Sequence, residues 1–179
     1  MVEQAEQVAP ELDDAPQPAW LNQEEQDAWL GAAAIFLKLP GVLDAQLQRD
    51  AGLNLFEYFV LSSLSMAEGR SLRMSELAGL INGSLSRLSN VAKRLEQRGW
   101  MTREPDPDNG RYTRAHLTDT GWEQVVAAAP GHVAAVRQFL VDPLTSTQLR
   151  TLAIAGQRIV QRIAEEPRCV SECEPPSGC

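Results

Sequence analysis

Apolar residues recur at helical spacing along most of the chain. Before residue 71 this periodicity predicts three helices. The first covers Asn22 to about Lys38, and Pro40-Gly41 is expected to end it. A shorter helix follows from Val42 to Arg49, and a third opens at Asn54 and continues to about Ala67. The third helix begins with the spacing of a capping box and is expected to turn five residues inward: Phe56, Phe59, Val60, Ser63 and Leu64.

The next segment, residues 71–117, is the most informative part of the chain. Its pattern predicts a helix from about Met74 to Ile81 and another from the N-cap Ser84 to about Arg98. Asn82-Gly83 separates them, because both residues tolerate the left-handed backbone that a tight turn needs. The apolar positions of the second helix form one stripe: Leu85, Leu88, Ala92 and Leu95.

The opposite face of that second helix is polar. Its members are Ser86, Arg87, Ser89, Asn90, Lys93, Arg94 and Gln97. Short hydrogen-bonding residues come first and cations follow, which is the distribution of a recognition helix that meets base edges with its start and phosphates with its later turns. The alternative is an ordinary surface helix whose polar face is solvated.

Strand-like alternation follows at residues 100–118. Trp100–Glu104 and Arg111–Thr118 are predicted to pair as a hairpin, because the residues between them are dense in turn formers and end in Asn-Gly. Arg111 leaves the tip, while Arg103 and Arg114 lie on the strands. An arginine at a hairpin tip can enter a DNA minor groove, although a lone arginine in a solvated turn needs no such role.

Two further helices are predicted after the hairpin. Thr118 is expected to cap a long helix that Pro130-Gly131 kinks or interrupts and Asp142-Pro143 ends. Thr145 and Gln148 have capping-box spacing before a last helix. These terminal helices carry more apolar positions than one small domain covers, so a second copy of the chain is expected to cover the surplus.

Charge is distributed unevenly along the chain. The 179 residues carry a net charge of -8, which by itself argues against a nucleic-acid partner. Residues 70–114, however, hold nine Arg or Lys against five Asp or Glu, a local +4. The other residues hold seven against nineteen, or -12. A cationic segment in an acidic chain is the electrostatic footprint of a protein that meets DNA with one face.

The remaining composition bounds the class of protein. The sequence contains no run of 18 apolar residues and no secretory signal, so we expect a cytoplasmic protein with no membrane partner. Residues 1–20 are predicted to be a disordered acidic tail. The two histidines, His116 and His132, stand in no catalytic motif, and no cofactor site is evident, so we expect no enzyme.

Several segments together resemble the MarR family of bacterial transcriptional regulators. They are LFEYFVLSSL, RMSELAGLI, LSRLSNVAKRLEQRGWMTRE, DPDNGRYTRAHLTDTG and DPLTSTQL. The resemblance implies a mainly α fold with a small β-hairpin wing, a winged helix-turn-helix flanked by N- and C-terminal dimerisation helices. It places the domain at residues 21–165, with a DNA-binding lobe at about 54–118, dimerisation helices at about 22–50 and 119–165, and a Cys-rich tail at 166–179.

The resemblance also implies function and roles. The chain would be a ligand-responsive homodimeric repressor at the nucleoid, binding a pseudo-palindromic operator with half-sites about 10 bp apart. By position, Asp108 would orient the wing arginine, Arg111. The expected contacts to double-stranded DNA are Ser84, Ser86, Arg87, Ser89, Asn90, Lys93, Arg94, Arg111 and Arg114. Asn90 and Gly110 depart from residues that are common in the family.

Two sensing sites are also considered. A small aromatic or anionic effector would lie among Trp29, Phe36, Phe56, Tyr58 and His132, although aromatic residues at helical spacing are more often core. The three cysteines, Cys169, Cys173 and Cys179, could hold a metal or oxidise, or could be ordinary reduced thiols. The alternatives to a ligand-responsive repressor are therefore a redox- or metal-responsive regulator and a winged-helix adaptor that binds proteins.

Overall fold

The structure is a computed structural model that describes residues 19–165. The elements in chain order are α1 (Gln23–Ala51), α2 (Leu55–Met66), β1 (Ser71–Arg73), α3 (Met74–Leu80), α4 (Leu85–Gln97), β2 (Met101–Pro105), β3 (Thr113–Leu117), α5 (Asp119–Val136) and α6 (Ser146–Glu165). The described residues divide into two compact units, and the boundary between them falls inside α1, after Lys38. The mainly helical fold class predicted from the sequence is confirmed.

The small sheet contains the predicted hairpin and one strand that the sequence did not predict. Its order is β1-β3-β2, and both pairings are antiparallel. Ala115 of β3 is paired with Leu72 of β1 on one side and with Arg103 of β2 on the other. A strand of three residues is too short to show alternation, so the sequence pattern could not identify β1. This strand joins the hairpin to the start of α3.

The core of the second unit lies between α2, α4, α5 and the sheet. Leu88, Val91, Ala92 and Leu95 form the buried side of α4. The predicted stripe is therefore correct except at Leu85, which is 55% exposed. Leu85 is the first residue of the helix, and the buried positions of α4 begin one turn later, at Leu88.

The capping box of α2 is confirmed, since the Asn54 side chain accepts from the Glu57 backbone and the Glu57 side chain accepts from the Asn54 backbone. The predicted inward face is partly wrong. Val60 and Leu64 are buried, but Phe59 is 42% exposed. The other buried residues of α2 are Glu57, Tyr58 and Leu61. Apolar residues occupy both faces of this segment, so periodicity alone could not select the buried one.

Two expected helix breaks are absent. Helix α1 continues through Pro40, and α5 continues through Pro130. A proline inside a helix removes one backbone hydrogen bond and crowds the preceding turn. In α5 the buried residues Ala128 and His132 flank the proline, and their packing outweighs that local cost. The predicted caps at Thr118 and Thr145 are confirmed, because their hydroxyl oxygens accept from Gly121 and Gln148.

Apolar surface remains uncovered in both units. In the first unit the exposed residues are Trp20, Leu21, Trp29, Leu30, Ile35, Phe36 and Leu37, and α6 in the second exposes Leu152, Ile154, Ile159, Val160 and Ile163. By length and composition alone α1 is also apolar enough to cross a membrane. The sequence of α1 nevertheless contains no uninterrupted run of 18 apolar residues, and the absence of a membrane partner stays a prediction.

Close packing at Gly121 generates a first prediction. A Cβ atom there would collide with the Trp100 carbonyl oxygen and would lie 2.8 Å from a methyl carbon of Leu117. Gly121→Ala should therefore lower the free energy of unfolding by about 2 kcal/mol, although alanine is otherwise the better helix former. Gly79→Ala is the matched control, since a Cβ at this helical position meets nothing within 4 Å and should stabilise the protein by up to about 1 kcal/mol. Urea unfolding measures both, and equal stabilisation would contradict the packing.

Candidate nucleic-acid interface

The turn between α3 and α4 fixes where α4 begins. Asn82 adopts a left-handed conformation with φ of 48°. A Cβ at Gly83 would lie 2.8 Å from the Phe56 ring, so the turn approaches α2 as closely as glycine allows. The Ser84 hydroxyl then accepts from the Arg87 backbone N–H at 3.2 Å and caps the helix. Ser84, which the resemblance placed against DNA, therefore also sets the start of α4.

The exposed face of α4 has the predicted polar character. Ser86, Asn90 and Lys93 are exposed, and Ser89 is partly buried. The Ser86 hydroxyl lies 3.1 Å from that of Ser84. Small donors and acceptors are thus gathered on the first two turns of the helix, where they can meet the edges of bases.

Arg94 has a different environment from the one expected. Its Nε donates to Glu57 Oε1 at 3.0 Å, and the Glu57 side chain is only 4% exposed. The second carboxylate oxygen of Glu57 accepts from the Asn54 backbone N–H at 3.1 Å. The guanidinium of Arg94 therefore neutralises a buried charge at the start of α2, and its contact with Glu57 fixes α4 against α2.

Two more arginines of this region contact the same junction between α1 and α2. Arg87 lies over the Phe56 ring, with its guanidinium carbon 4.2 Å from the ring centre. Arg98, just after α4, donates to the Gly52 carbonyl oxygen at 3.0 Å. Together with Arg94 they form what we call the arginine seam (Arg87, Arg94 and Arg98). The sequence offered no signal for it, because the partners lie about 30 to 45 residues earlier in the chain.

The base of the wing is organised by Asp106, which the sequence analysis did not single out. Its side chain is fully buried, and Oδ2 accepts from Arg73 Nε at 2.7 Å and from Arg114 Nη2 at 3.3 Å. Its other oxygen accepts from the backbone N–H groups of Asp108 and Asn109. The hydrogen bond from Arg73 is the main cause that lowers the pKa of Asp106 to about 2.

These contacts bear on two expectations. Asp108 was expected to orient the wing arginine, but within residues 19–165 its side chain makes no hydrogen bond or ion pair, and Asp106 is the acid that holds arginines. Arg114, which was expected to touch DNA, pairs with Asp106 while its side chain stays 27% exposed, so its contact with DNA remains a prediction. A sequence signal for Asp106 does exist. An acid at the first position of a hairpin turn can accept hydrogen bonds from the backbone N–H groups two and three residues later.

Arg103 joins the wing to α4. Its guanidinium binds both carboxylate oxygens of Glu96, at 3.0 and 2.6 Å. The same contact lowers the pKa of Glu96. A bidentate pair of this kind restrains both position and angle, so the first wing strand, β2, and α4 are fixed together.

Arg111 is exposed at the wing, as predicted. Its backbone N–H donates to Asn109 Oδ1 at 3.1 Å, which shapes the turn. In the described part of the chain its guanidinium has no hydrogen bond or ion pair. Lys93 likewise has no ion pair among the described residues. These two cations are available to an external anion.

A recess of about 270 Å³ lies between α3, α4 and the wing, and we call it the wing recess. Its lining includes Ser75, Leu85, Ser89, Arg111, Tyr112 and Thr113. Tyr112 also packs on Arg73, whose guanidinium carbon is 5.0 Å from the ring centre. The polar start of α4 and the wing arginine therefore border the same concave surface.

The aromatic residues proposed for an effector site are divided between the two units. Trp29 and Phe36 belong to the first unit and are more than half exposed. In the second unit the Tyr58 and His132 rings pack together at 4.5 Å, whereas Phe56 is covered by Arg87.

Burial lowers the pKa of His132 and raises that of Tyr58. Within residues 19–165, the His132 Nδ1 atom and the buried Oε1 of Gln46 have no hydrogen-bond partner. The candidate metal or redox residues Cys169, Cys173 and Cys179 lie outside the described residues.

Known proteins resemble this chain in both sequence and structure. The family model described as the MarR family matches residues 53–113. The transcriptional repressor MprA of Escherichia coli K12 is 26% identical over 112 residues, which is 63% of each chain.

Two crystal structures from Streptomyces coelicolor are also similar. Sco3205, a MarR family transcriptional regulator solved in complex with DNA, is 40% identical with a TM-score of 0.78, over 83% of this chain and 96% of that one. AbsC, another MarR family transcriptional regulator, is 34% identical with a TM-score of 0.78, over 83% of this chain and 100% of its own.

The Asp106 cluster predicts how stability depends on pH. Because the folded-state pKa of about 2 lies below the ordinary value of 3.8, the stabilisation by this carboxylate is complete above pH 3.8 and is lost as pH falls toward 2. Asp106→Asn should unfold at lower urea than the natural protein at neutral pH and should lose part of the acid sensitivity. Asp108→Asn is the control and should keep both properties. If the two variants behaved alike, Asp106 would not be the anchor of the wing.

Proposed function

The chain belongs to the MarR family, and we propose that it is a transcriptional regulator that binds duplex DNA as a homodimer. In this proposal α4 enters the major groove, and the wing approaches the adjacent minor groove. Two copies would bind an inverted repeat with half-sites about 10 bp apart. Repression is the proposed outcome, and a small effector is proposed to control it.

One observation carries the DNA-binding part of the proposal. The exposed start of α4 and the exposed wing arginine border a common recess, with Ser89 on one side and Arg111 on the other. A helix and a wing that face the same way can occupy neighbouring grooves of one duplex. Sco3205, which is 40% identical, was crystallised in complex with DNA, and this supports the same partner for the present chain.

The distribution of charge supports the proposal, although fewer cations are available than the sequence suggests. Five of the nine Arg and Lys residues at 70–114 pair with carboxylates: Arg70, Arg73, Arg94, Arg103 and Arg114. Arg87, Lys93, Arg98 and Arg111 have no carboxylate partner in the described part of the chain. Lys93 and Arg111 are the strongest candidates for phosphate or groove contacts.

The homodimer part of the proposal rests on uncovered apolar surface. In α6 the residues Leu152, Gly156 and Val160 lie on one stripe of the helix, and the Leu152 and Val160 side chains on it are exposed. The first unit exposes its own apolar residues, including Trp29 and Phe36. A second copy covers such surfaces without any further component. A bilayer is the competing partner for α1, but the matched relatives are named as transcriptional regulators.

Effector response is a further part of the proposal. Its basis is the contact between Tyr58 and His132, together with two buried atoms that have no partner in the described part of the chain, His132 Nδ1 and Oε1 of Gln46. A small aromatic molecule that carries a hydroxyl group could satisfy these atoms, and its binding would favour one spacing of the two DNA-binding lobes. We also propose a cytoplasmic location at the nucleoid and no enzymatic activity, as the names of the matched relatives suggest.

DNA binding is tested by fluorescence anisotropy on a duplex recovered from random DNA by selection, against a scrambled duplex, over a range of salt concentrations. We expect selective binding. The logarithm of the association constant should fall linearly with the logarithm of salt concentration, with a slope of about -0.9 for each phosphate neutralised. Equal, weak binding to every duplex or no binding at low salt would contradict the regulator and favour the protein-binding adaptor.

Lys93 and Arg94 form a matched pair in the same assay. Lys93→Gln should reduce the salt slope by about 1, because Lys93 has no ion pair in the described chain and can neutralise a phosphate. Arg94→Gln should weaken binding without changing the slope, because its charge is already paired with Glu57. A slope change at Arg94 as large as that at Lys93 would show that Arg94 leaves Glu57 when DNA binds.

Sedimentation equilibrium tests the homodimer. We expect a mass of twice 19.7 kDa for the natural chain. Val160→Glu, within the apolar stripe of α6, should raise the dimer dissociation constant by at least about tenfold, because it buries a charge. Arg158→Glu places the same side chain about 200° away on the helix and should leave the dimer intact. A monomer at all concentrations would overturn this part of the proposal.

A further inference from the structure

The wing recess lies where a DNA strand has to pass. The major and minor grooves of a duplex are separated by one sugar–phosphate backbone. If α4 occupies the major groove and the wing approaches the next minor groove, that backbone crosses the space between them. The wing recess is this space, since α4 contributes Leu85 and Ser89 to its lining and the wing contributes Arg111, Tyr112 and Thr113.

The polar part of the lining is chemically complementary to a phosphate of the DNA backbone. Ser75, Ser89 and Thr113 supply hydroxyl groups that can donate to phosphate oxygens. Arg111 supplies the charge, because the other arginine of the lining, Arg103, is already bound by Glu96 through both carboxylate oxygens. The recess therefore contains one uncommitted cation beside several hydroxyl donors within residues 19–165.

The apolar part of the lining fits the sugar. Leu85 is 55% exposed, although it stands in the first turn of a helix whose following turns are well packed. A deoxyribose ring presents C–H groups. Packing the leucine side chain against them removes apolar surface from water, which is favourable. A recess for a free inorganic anion would not need this side chain.

Contacts within the protein fix the walls of the recess in the absence of DNA. Tyr112 packs on Arg73, and Arg73 is fixed by the buried carboxylate of Asp106. The Arg103–Glu96 pair fixes the opposite wall to α4. A preformed recess loses little conformational entropy on binding, which favours a contact that sets register.

We propose that the wing recess seats one sugar–phosphate unit of the strand that separates the two grooves. Ser75 and Thr113 donate to the phosphate, Arg111 neutralises it, and Leu85 packs on the deoxyribose. This inference rests on the proposed DNA-binding function and names the element of DNA that this part of the site recognises.

The experiment is a methylphosphonate scan of the duplex recovered by selection. Each phosphate of one half-site is replaced in turn by a neutral methylphosphonate, and the affinity of the natural protein is measured by anisotropy. We expect one phosphate per half-site, on the strand between the grooves, whose replacement weakens binding about tenfold, as the loss of charge-assisted hydrogen bonds predicts.

Protein variants identify which phosphate is in the recess. Thr113→Val removes one donor and keeps the side-chain shape, and we expect it to weaken binding to the natural duplex roughly fivefold. On the duplex with the critical methylphosphonate the same substitution should cost less than about twofold, because its partner is already lost. Ser75→Ala should show the same coupling to the same phosphate.

Thr102→Val is the matched control. Thr102 is an exposed threonine on the neighbouring wing strand, and because side chains alternate along a strand it faces away from the side that Arg103 presents to the recess. It should bind every duplex as the natural protein does. Thermal unfolding of each variant checks that the fold is retained.

The outcomes separate the inference from the function on which it rests. If the effects of Thr113→Val and Ser75→Ala on binding are both coupled to the same methylphosphonate, the inference about the wing recess is supported. If DNA binding is selective and salt-sensitive but both substitutions are additive with every methylphosphonate, that inference is wrong and the proposed DNA-binding function stands. Failure to recover any selective duplex would remove the proposed function and the inference together.

Discussion

The wing depends on a carboxylate that is charged and yet removed from water. Asp106 is tolerated there because two arginines and two backbone N–H groups donate to it, and loss of either arginine would leave part of a buried negative charge uncompensated. Its partners come from β1, from β3 and from the wing turn itself, so a single group fixes the three parts relative to one another. The position of Arg111, and the wall that Tyr112 gives to the wing recess, follow from that arrangement.

A second set of contacts fixes the recognition helix to the rest of its unit. The arginine seam reaches back to the junction between α1 and α2, and the buried carboxylate of Glu57 plays there the part that Asp106 plays in the wing. Arginine suits both places, because its planar guanidinium can satisfy a buried carboxylate and pack on an aromatic ring. Most of the cationic charge that marks this segment in the sequence therefore orients the interface, and only a small part of it is available to an external anion.

The sequence predicts elements better than it predicts partners. Caps at Asn54, Ser84, Thr118 and Thr145 lie where local hydrogen bonding requires them, because a cap is decided within four residues. The expected breaks at Pro40 and Pro130 are absent, because tertiary packing outweighs a local helix penalty. The roles of Arg94, Arg114 and Asp106 depend on residues about eight to forty positions away, and periodicity carries no information about such pairs. The exposed polar start of α4 and the exposed Arg111 were within reach of sequence reasoning, because both follow from one helix face and one turn.

In the proposed dimer, association through the uncovered apolar surface compensates for the small number of available cations in each copy. A single copy with only a few cations free of carboxylates would hold duplex DNA weakly, since much of the affinity of such proteins comes from neutralised phosphates. Two copies joined through apolar surface double those contacts, and the second set binds at the high effective concentration that the first set creates. The strength of binding then depends on the distance between the two lobes as well as on charge. In the proposed dimer most cations are paired with the protein's own carboxylates. A small change in the distance between the two lobes would therefore be enough to change the affinity for DNA.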